Sequence, residues 1–223
     1  MVWNNRFLIA GQSGTGKSWY TSYLIRRYCS QNKRRYIVIL DTTTDHMQYL
    51  ADCGFQTLYI DRIRARKGVD WVSFIRSHPR LLVVIGDLVG EEIQQCVDRI
   101  GRAIIRLGNT LLVIDEAHSI YHVDYPSAEI ERICRGGRKL GIDIIISTQR
   151  LQGIPLGGRS QANVIIAFHL DDVRDRDLIT PRLGSYKGQS ADSIVSSLPP
   201  MKALVRDTES GQVELISTRG LRM

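Results

Sequence analysis

One segment of the chain is suited to phosphate binding: GQSGTGKS at residues 11–18. It matches G-x-x-x-x-G-K-[ST], the P-loop pattern, in which glycines let the backbone wrap around a polyphosphate and successive N–H groups face its charge. Lys17 would reach the β- and γ-phosphates, and the Ser18 hydroxyl would be a ligand of Mg²⁺. An apolar run at 6–11 precedes the motif and a helical stretch follows it, as the motif requires. The sequence therefore predicts a nucleoside triphosphate site.

Two adjacent carboxylates supply the second half of such a site. The run TLLVIDEAH at 110–118 is typical of an apolar strand that ends in Asp115, which we expect beside the P-loop as a Mg²⁺ ligand. Glu116 follows directly and would act as the general base that polarises the attacking water. A glutamate in this position favours a hydrolase over a kinase, which must exclude water.

Two histidines, His118 and His122, lie four residues apart near these carboxylates, a spacing that a metal pair can use. The HExxH order is absent, so we favour ordinary polar residues beyond a strand end. The letters DEAH also occur in DEAH-box helicases, which need two such domains in tandem, whereas this chain has length for only one.

The segment GGRKLGIDIIISTQR at 136–150 combines a buried strand with a polar end. We expect this strand to lie between the P-loop strand and the Asp115 strand, with its end facing the γ-phosphate. Gln149 has the length and chemistry to hydrogen-bond that phosphate or the attacking water, and Thr148 could assist. Arg150 is either a second sensor or a residue that closes the turn.

Arg138 precedes the same strand and is expected at its opposite end, where it would not reach the nucleotide of its own subunit. It could serve a neighbouring subunit as an arginine finger, which neutralises charge during phosphoryl transfer. Alternatively, Arg135, Arg138 and Lys139 merely complement a helix C-terminal dipole. The residues alone leave both interpretations open.

Strands and helices are predicted to alternate around these residues. Apolar runs at 6–11, 36–41, 57–61, 80–86, 110–115, 142–148 and 163–170 are typical of strands, and helical stretches separate several of them, including an amphipathic one at 91–107. This order predicts an α/β fold with a mainly parallel sheet covered by helices on both faces. We expect one domain over 1–223, with a core at about 5–170 and an extension at about 171–223 that ends in a β-hairpin.

Composition and charge indicate which class of binding partner and which cellular compartment suit the protein. A net charge of +7 and a pI near 9.4 suit a polyanion such as nucleic acid, although charge alone does not establish one. The apolar runs are strand-sized, the N-terminus lacks the pattern of a signal peptide, and the four cysteines form no C-x-x-C pair. These features predict a cytoplasmic protein without a membrane span, a disulfide framework or a zinc site.

The motifs together resemble the HerA/FtsK superfamily of DNA-pumping ATPases. The shared arrangement comprises LLVIDEAH, a helix ending in G-R-x-x-G, a strand ending in T-Q-R, and a polar loop leading to A-N and another strand. The resemblance covers most of residues 5–170, together with the P-loop. It implies a three-layer RecA-like core, a homo-oligomeric ring that is usually a hexamer, and movement of double-stranded DNA by ATP hydrolysis with Mg²⁺.

The resemblance also implies roles for individual residues. Gln149 would be the sensor and Arg138 the arginine finger acting in trans, with Lys17 and Glu116 completing the catalytic set. The residues implied to bind ATP are Gln12, Ser13, Gly14, Thr15, Gly16, Lys17, Ser18 and Trp19, and those implied to hold the metal are Ser18 and Asp115.

One departure from the superfamily concerns the N-terminus. HerA proteins carry an N-terminal barrel and FtsK proteins carry membrane spans and a DNA-reading domain, whereas here the P-loop begins at Gly11. The reduced form resembles the genome-packaging ATPases of membrane-containing icosahedral viruses. Packaging into a preformed capsid, with a capsid or portal-vertex protein as partner, is therefore the leading expectation, and the protein would then be in the host cytoplasm or associated with the virion.

Two other functions remain open: a HerA-like motor for DNA repair or conjugation, and an ATP-dependent assembly switch that moves no DNA. For DNA contacts, basic side chains facing phosphates would suffice. The densest candidate follows a predicted short strand and is predicted to be a loop, with Arg62, Arg64, Arg66 and Lys67. Two other candidates are the loop around Arg159 and the group Arg26, Arg27, Lys33, Arg34 and Arg35.

Overall fold

The computed structural model describes residues 5–43 and 46–221, without the side chains of residues 47, 64, 66 and 67. The strands of the main sheet are β1 (Arg6–Ala10), β2 (Tyr36–Asp41), β3 (Gln56–Ile60), β4 (Arg80–Ile85), β5 (Thr110–Ile114), β6 (Asp143–Thr148), β7 (Val164–Ala167), β10 (Lys202–Asp207) and β11 (Val213–Ser217). A separate short hairpin consists of β8 (Ser185–Tyr186) and β9 (Gln189–Ser190). The spatial order of the main sheet is β11-β10-β7-β1-β6-β5-β2-β4-β3. Strands β1 to β7 run parallel to one another, and β10 and β11 continue the sheet in antiparallel pairing.

Helices connect the strands and cover the sheet. They are α1 (Lys17–Gln31), α2 (Met47–Leu50), α3 (Arg62–Lys67), α4 (Trp71–Ser77), α5 (Glu91–Leu107), α6 (Ala117–Ile120), α7 (Ala128–Gly136), α8 (Leu156–Ser160), α9 (Val173–Leu183) and α10 (Ala191–Val195). Short 3-10 turns occur at Ala51–Cys53, Gly137–Leu140 and Leu151–Gly153. None of the helices in the described residues combines the length and the hydropathy that a membrane span requires.

Two apolar cores lie on opposite faces of the sheet because successive side chains of a strand point to opposite sides. In β1, Leu8 and Ala10 belong to the core that includes α5 and α7, whereas Phe7 and Ile9 belong to the core that includes α1. The central strands are buried on both faces, as expected of a parallel sheet between helix layers. The predicted three-layer α/β fold, including the C-terminal hairpin, is confirmed.

Strand register determines the edge of the sheet at which the predicted site residues meet. β6 pairs with β1 through Ala10 and Thr148, and with β5 through Ile114 and Ile146. The P-loop, the pair Asp115 and Glu116, and Gln149 follow these three strands directly, so all of them emerge at the same edge. The next strand, β2, places its last residue, Asp41, beside them.

Two local predictions differ from the structure. The basic segment predicted as a loop is instead the helix α3, because Arg62–Lys67 contains neither glycine nor proline and consists of residues that favour a helix. The helix before β6 ends at Gly136, earlier than predicted, and a 3-10 turn at Gly137–Leu140 carries Arg138.

A buried ion pair fixes the start of β6 against its neighbours. The Arg34 guanidinium donates to both carboxylate oxygens of Asp143, at 2.8 and 3.0 Å, and the backbone N–H of Asn5 donates to the same carboxylate at 2.8 Å. Asp143 is 1% exposed. The pair thus connects the segment before β2 to the amino ends of β1 and β6, the strands that carry the P-loop and Gln149.

We expect Arg34→Met to lower the free energy of unfolding by about 3–5 kcal/mol, since it leaves the buried Asp143 carboxylate without its cation. Chemical denaturation measures this change. Arg35→Met, at the neighbouring exposed arginine, is the matched control. The double variant Arg34→Met/Asp143→Leu should recover much of the loss. Equal stability of the two single variants would contradict the role of the pair.

Candidate active site

Hydrogen bonds tie the start of the P-loop to the end of β6 and to the segment after β7, where the backbone N–H of Gln12 donates to the His169 carbonyl at 3.0 Å. The backbone N–H of Gly11 donates to the Thr148 carbonyl at 3.2 Å, and the hydroxyl of Thr15 donates to the Gln12 carbonyl at 2.7 Å. Gly16 has φ 106°, a conformation that favours glycine, and α1 begins immediately after it. The loop therefore presents a helix N-terminus to an anion, as the motif predicts.

Glu116 joins the predicted residues into one hydrogen-bonded group. Its Oε1 accepts from Lys17 Nζ at 2.8 Å and from Gln149 Nε2 at 2.9 Å. Lys17 Nζ also lies 3.9 Å from Oδ1 of Asp115, and the lysine side chain is 3% exposed. The structure thus brings Lys17, Asp115, Glu116 and Gln149 together, although they come from three different strand ends.

Glu116 has two features that suit a proton acceptor. Its backbone lies in the left-handed region with φ 44°, which is uncommon for a residue with a side chain and is often found at functional sites. Its second oxygen, Oε2, is buried and accepts no hydrogen bond among the described residues, while His118 Nδ1 lies 3.4 Å from it. One carboxylate oxygen is therefore held in place, and the other has a lone pair available for a water molecule.

Asp115 is held by a buried histidine. Nε2 of His46 lies 2.9 Å from Oδ2 of Asp115, and Nδ1 of His46 lies 2.6 Å from the Ser22 hydroxyl on α1. Burial alone would raise the pKa of Asp115, but the hydrogen bond from His46 and the charges of His46 and Lys17 outweigh it and hold that pKa well below its usual range. Asp115 is therefore a carboxylate at neutral pH.

A second aspartate accompanies the first. Asp41 is fully buried at the end of β2, where burial and the charge of Asp115 raise its pKa. Burial would lower the pKa of His46, but its hydrogen bond to Asp115 and the charges of Asp115 and Asp41 raise it. One ligand atom from each of Asp41, His46 and Asp115 lies within 4.8 Å of the others.

The donor set suits Mg²⁺, which prefers oxygen ligands. Oδ1 of Asp115 is buried and accepts no hydrogen bond among the described residues, so it has capacity for a cation or a water molecule bound to one. Ser18 lines the same cavity, as the motif predicts. Asp115 and Ser18 would hold the ion, and Asp41 lies near enough to orient its waters.

Sequence reasoning missed Asp41 and His46. The aspartate could have been found, because YIVILD ends an apolar strand with a carboxylate in the same manner as TLLVID. The histidine follows the strand by several residues, and no spacing rule relates it to Asp115. Only the packing of α1 against α2, which begins directly after His46, brings Ser22, His46 and Asp115 into line.

The remaining polar candidates have structural contacts. The Thr148 hydroxyl accepts from the backbone N–H of Arg150 at 3.0 Å and so closes the turn after β6. Nδ1 of His122 accepts from the backbone N–H of Asp124 at 3.1 Å. Burial lowers the pKa of His118. Among the described residues, the two histidines belong to no group of side chains that could hold a metal ion.

Arg138 lies far from this site within its own chain. It precedes the amino end of β6 and Gln149 follows the carboxyl end, so the six residues of the strand separate them by roughly 20 Å. The Arg138 side chain is 60% exposed, and Nη1 lies 3.9 Å from Oε1 of Glu209. An exposed pair at this distance is weak, so the guanidinium can be presented to another molecule.

The basic clusters differ in how many of their cations have partners. In the group at residues 26–35, Arg26 donates two hydrogen bonds to Asp52, and Arg34 donates to Asp143. These two arginines therefore already have anionic partners and are weaker candidates for DNA contacts. On α3, Arg62 Nε lies 3.3 Å from Glu92 Oε2 in an exposed pair. The side chains of the other three predicted DNA contacts, Arg64, Arg66 and Lys67, lie outside the described part of the structure.

Two cavities adjoin the site. One, of about 440 Å³, is lined by the P-loop and by the charged group around Glu116, and it also includes Trp19, Gln48, Tyr49 and Met201. The other, of about 580 Å³, shares Gln12 and Gln149 with the first and is lined further by Arg150, Arg174 and Asp172. Gln149 therefore lies between a nucleotide-sized cavity and a charged one that opens to the surface.

Comparison with known structures finds proteins that share this fold. The genome-packaging NTPase B204 of Sulfolobus turreted icosahedral virus 2, solved with ATP-gammaS, has a TM-score of 0.69 at 19% identity over 95% of this chain and 96% of B204. VirB4 of Thermoanaerobacter pseudethanolicus has a TM-score of 0.69 at 12% identity, over 96% of this chain and 89% of VirB4. ATPases 2 and 3 of EssC from Geobacillus thermodenitrificans give 0.56 at 16% identity, over 92% of this chain and 38% of EssC.

These likenesses confirm the expected resemblance at the level of the fold. No curated protein sequence matches the chain significantly. Residues 5–150, which are more than half of the chain and include the P-loop, Asp115, Glu116 and Gln149, match a family described as AAA domain. The chain therefore belongs to the AAA domain family and is a P-loop protein that binds and hydrolyses ATP.

Proposed function

We propose that the protein is a motor that couples ATP hydrolysis to the translocation of double-stranded DNA, and that its task is to package a viral genome into a preformed capsid. The observation that supports the motor chemistry best is the bonding of Glu116 to both Lys17 and Gln149. A proton acceptor, a phosphate ligand and a residue at the end of a neighbouring strand are thereby connected through one carboxylate.

ATP binding would rearrange this group. The γ-phosphate would lie against Lys17 Nζ, and the lysine would exchange its ion pair with Glu116 for phosphate oxygens. Mg²⁺ held by Ser18 and Asp115 would neutralise part of the phosphate charge. Glu116 would then accept a proton from water as the water oxygen attacks the γ-phosphorus and the bond to the β–γ bridging oxygen breaks, which gives ADP and phosphate.

Gln149 would report the state of the nucleotide. Its amide binds Glu116 and could turn to the γ-phosphate or the attacking water once ATP is bound. Because Gln149 follows β6 directly and borders both cavities, loss of the phosphate would be felt at the turn after β6 and at the charged surface beside it. Such a coupling between hydrolysis and surface shape is what a motor requires.

A ring of identical subunits would complete the site. Among the described residues, Lys17 is buried beside the P-loop, where it can bind the nucleotide of its own subunit. Arg138 is exposed at the opposite end of the sheet, where it can face another subunit. In a ring, for which we propose a hexamer, Arg138 of one subunit would face the γ-phosphate bound by the next. An arginine supplied in trans typically accelerates phosphoryl transfer by orders of magnitude.

Double-stranded DNA is the proposed substrate of the motor, and the phosphate backbone is the feature it would contact. The net charge of +7 favours a polyanion. We assign the contacts to α3, at Arg62, Arg64, Arg66 and Lys67. This helix follows the carboxyl end of β3, and the nucleotide site also lies at the carboxyl ends of the parallel strands. A capsid or portal-vertex protein would anchor the ring.

Packaging is supported over the other candidates by the likeness to the genome-packaging NTPase B204, whose identity of 19% exceeds the 12% of VirB4. The fold likeness to B204 covers nearly the whole of both chains. A repair or conjugation motor of the same superfamily would share the chemistry proposed above. An ATP-dependent assembly switch would also bind ATP, but DNA would not change its turnover, and this difference decides between the classes.

We expect Glu116→Gln to lower kcat for ATP hydrolysis by roughly 10²–10⁴-fold, because the amide cannot accept the proton from water. Affinity for ATP should remain close to that of the wild type, since Lys17 and the loop backbone are unchanged. Steady-state phosphate release and calorimetric titration measure the two quantities. The matched control is Glu214→Gln, at an exposed glutamate on β11. Undiminished turnover in Glu116→Gln would exclude Glu116 as the base.

We expect Arg138→Ala to lower ATP turnover by roughly 10³-fold if the arginine acts in trans. Lys17→Ala should be inactive for a different reason, because it lacks the lysine that binds the β- and γ-phosphates of ATP. Mixing the two inactive proteins should restore part of the activity, because a Lys17→Ala subunit can supply Arg138 to a neighbour with an intact P-loop.

The control for this pair is Lys139→Ala, which removes an adjacent exposed cation. Turnover of Arg138→Ala equal to that of the control would show that Arg138 only complements the helix end. The mass of the particle with ATP and DNA present gives an independent measurement, and a strictly monomeric protein would contradict the ring.

We expect double-stranded DNA to stimulate ATP turnover, with a binding constant that decreases steeply as salt increases. Replacement of Arg64, Arg66 and Lys67 by glutamine should reduce the slope of log affinity against log salt by about one for each DNA phosphate that is no longer neutralised. Arg76→Gln, at an exposed arginine of α4 outside all the candidate DNA-contact groups, is the comparison. If DNA leaves turnover unchanged, the assembly switch is the better description.

A further inference from the structure

The C-terminal extension touches the P-loop through Met201. The backbone N–H of Met201 donates to the Thr15 carbonyl at 2.8 Å. Its Sδ lies 2.6 Å from the position that a Cβ of Gly16 would occupy, so the thioether lies directly on the loop. The side chain is partly exposed and lines the same cavity as Lys17.

The position of Met201 is fixed from both sides. Its carbonyl accepts from the backbone N–H of Thr218 at 2.8 Å and from the Thr218 hydroxyl at 2.9 Å, and Thr218 is fully buried. These bonds tie Met201 to the end of the hairpin formed by β10 and β11. Its φ of 66° lies in the left-handed region, which costs free energy for a residue with a side chain. The surrounding bonds therefore hold a conformation that the residue would not adopt by preference.

The cavity contains two groups of different chemistry. One is the charged group around Glu116, which the triphosphate and its metal require. The other is apolar and aromatic, and it comprises Met201, Trp19 in the first turn of α1, and Tyr49 in α2. The ring of Trp19 is oriented by stacking on Tyr23, with centroids 6.0 Å apart and planes inclined by 2°. Tyr49 is anchored by a hydrogen bond of 2.9 Å from Arg26 to its carbonyl.

We propose that Met201, Trp19 and Tyr49 form the subsite for the purine base of ATP, with the Met201 thioether against the face of the ring. The phosphates are fixed at the loop and the start of α1, so the nucleoside must leave the loop near Ser18 and Trp19. Thioethers and aromatic rings both pack favourably against a flat aromatic group. A cavity of about 440 Å³ is large enough to hold a nucleotide.

This subsite gives the C-terminal hairpin a role in the nucleotide site. Residues 202–217 form the antiparallel edge of the sheet, and Met201 precedes that edge directly. The base would then contact elements from both ends of the chain. The inference rests on ATP as the nucleotide and does not depend on DNA translocation.

The test compares ligands that share phosphates but differ in the base. Calorimetric titration with Mg²⁺ gives the affinities of ATPγS, AMP and inorganic tripolyphosphate for the wild type, for Met201→Ala and for Met201→Gln. The glutamine variant keeps the length of the side chain against Gly16, so it serves even if the alanine variant fails to fold. Leu215→Ala, at an exposed position on β11, is the control.

We expect both Met201 variants to bind ATPγS and AMP roughly 3- to 10-fold more weakly, because this is the loss in affinity expected when a sulfur–aromatic contact is removed. Tripolyphosphate, which has no base, should bind as it does to the wild type. An equal loss for all three ligands would mean that Met201 only supports the loop, and would overturn the subsite. Unchanged affinity for ATPγS, or a wild type that binds ATPγS no better than tripolyphosphate, would also overturn it. Failure of DNA to stimulate turnover bears on the motor alone, because this titration contains no DNA.

Discussion

The pairing of β6 between β1 and β5 holds the nucleotide site together. Parallel strands place their carboxyl ends at one edge, and the register Ala10 with Thr148 and Ile114 with Ile146 brings three strand ends level. A shift of one residue in either pair would turn the polar end of β6 toward the opposite face of the sheet. The buried pair of Arg34 and Asp143 helps to hold this register from the amino end of the strand.

Electrostatic balance is the second feature of the site. Asp41, Asp115 and Glu116 are gathered behind the P-loop, where burial makes uncompensated charge costly. Lys17 and His46 supply the opposing charge, and each contacts Asp115 from a different side. Arrival of a metal with its nucleotide would redistribute these contacts, so the group of side chains is set to respond to the ligand as well as to bind it.

The strand β6 would connect two nucleotide sites. It carries Gln149 at one end and, just before its other end, the turn with Arg138. In a ring these two residues would serve two different nucleotides, one in its own subunit and one in the next. Each strand would then link consecutive sites, which offers a direct route for coordinating hydrolysis around the ring. On the far side of β7, the C-terminal hairpin extends the sheet and places Met201 on the P-loop.

Features with local chemistry could be predicted from the amino-acid order, whereas the meeting of distant residues could not. The P-loop, the strand end with Asp115 and Glu116, and the strand that leads to Gln149 were predictable, because glycine spacing and apolar runs of strand length reflect short-range geometry. The helix at Arg62–Lys67 was wrongly predicted as a loop, since a short basic segment has little periodicity. His46 reaches Asp115 and Ser22 because α1 packs against α2, which begins directly after His46, and no local pattern records such a contact. Met201 likewise reaches the P-loop only because the C-terminal hairpin pairs with β7, which joins segments from opposite ends of the chain.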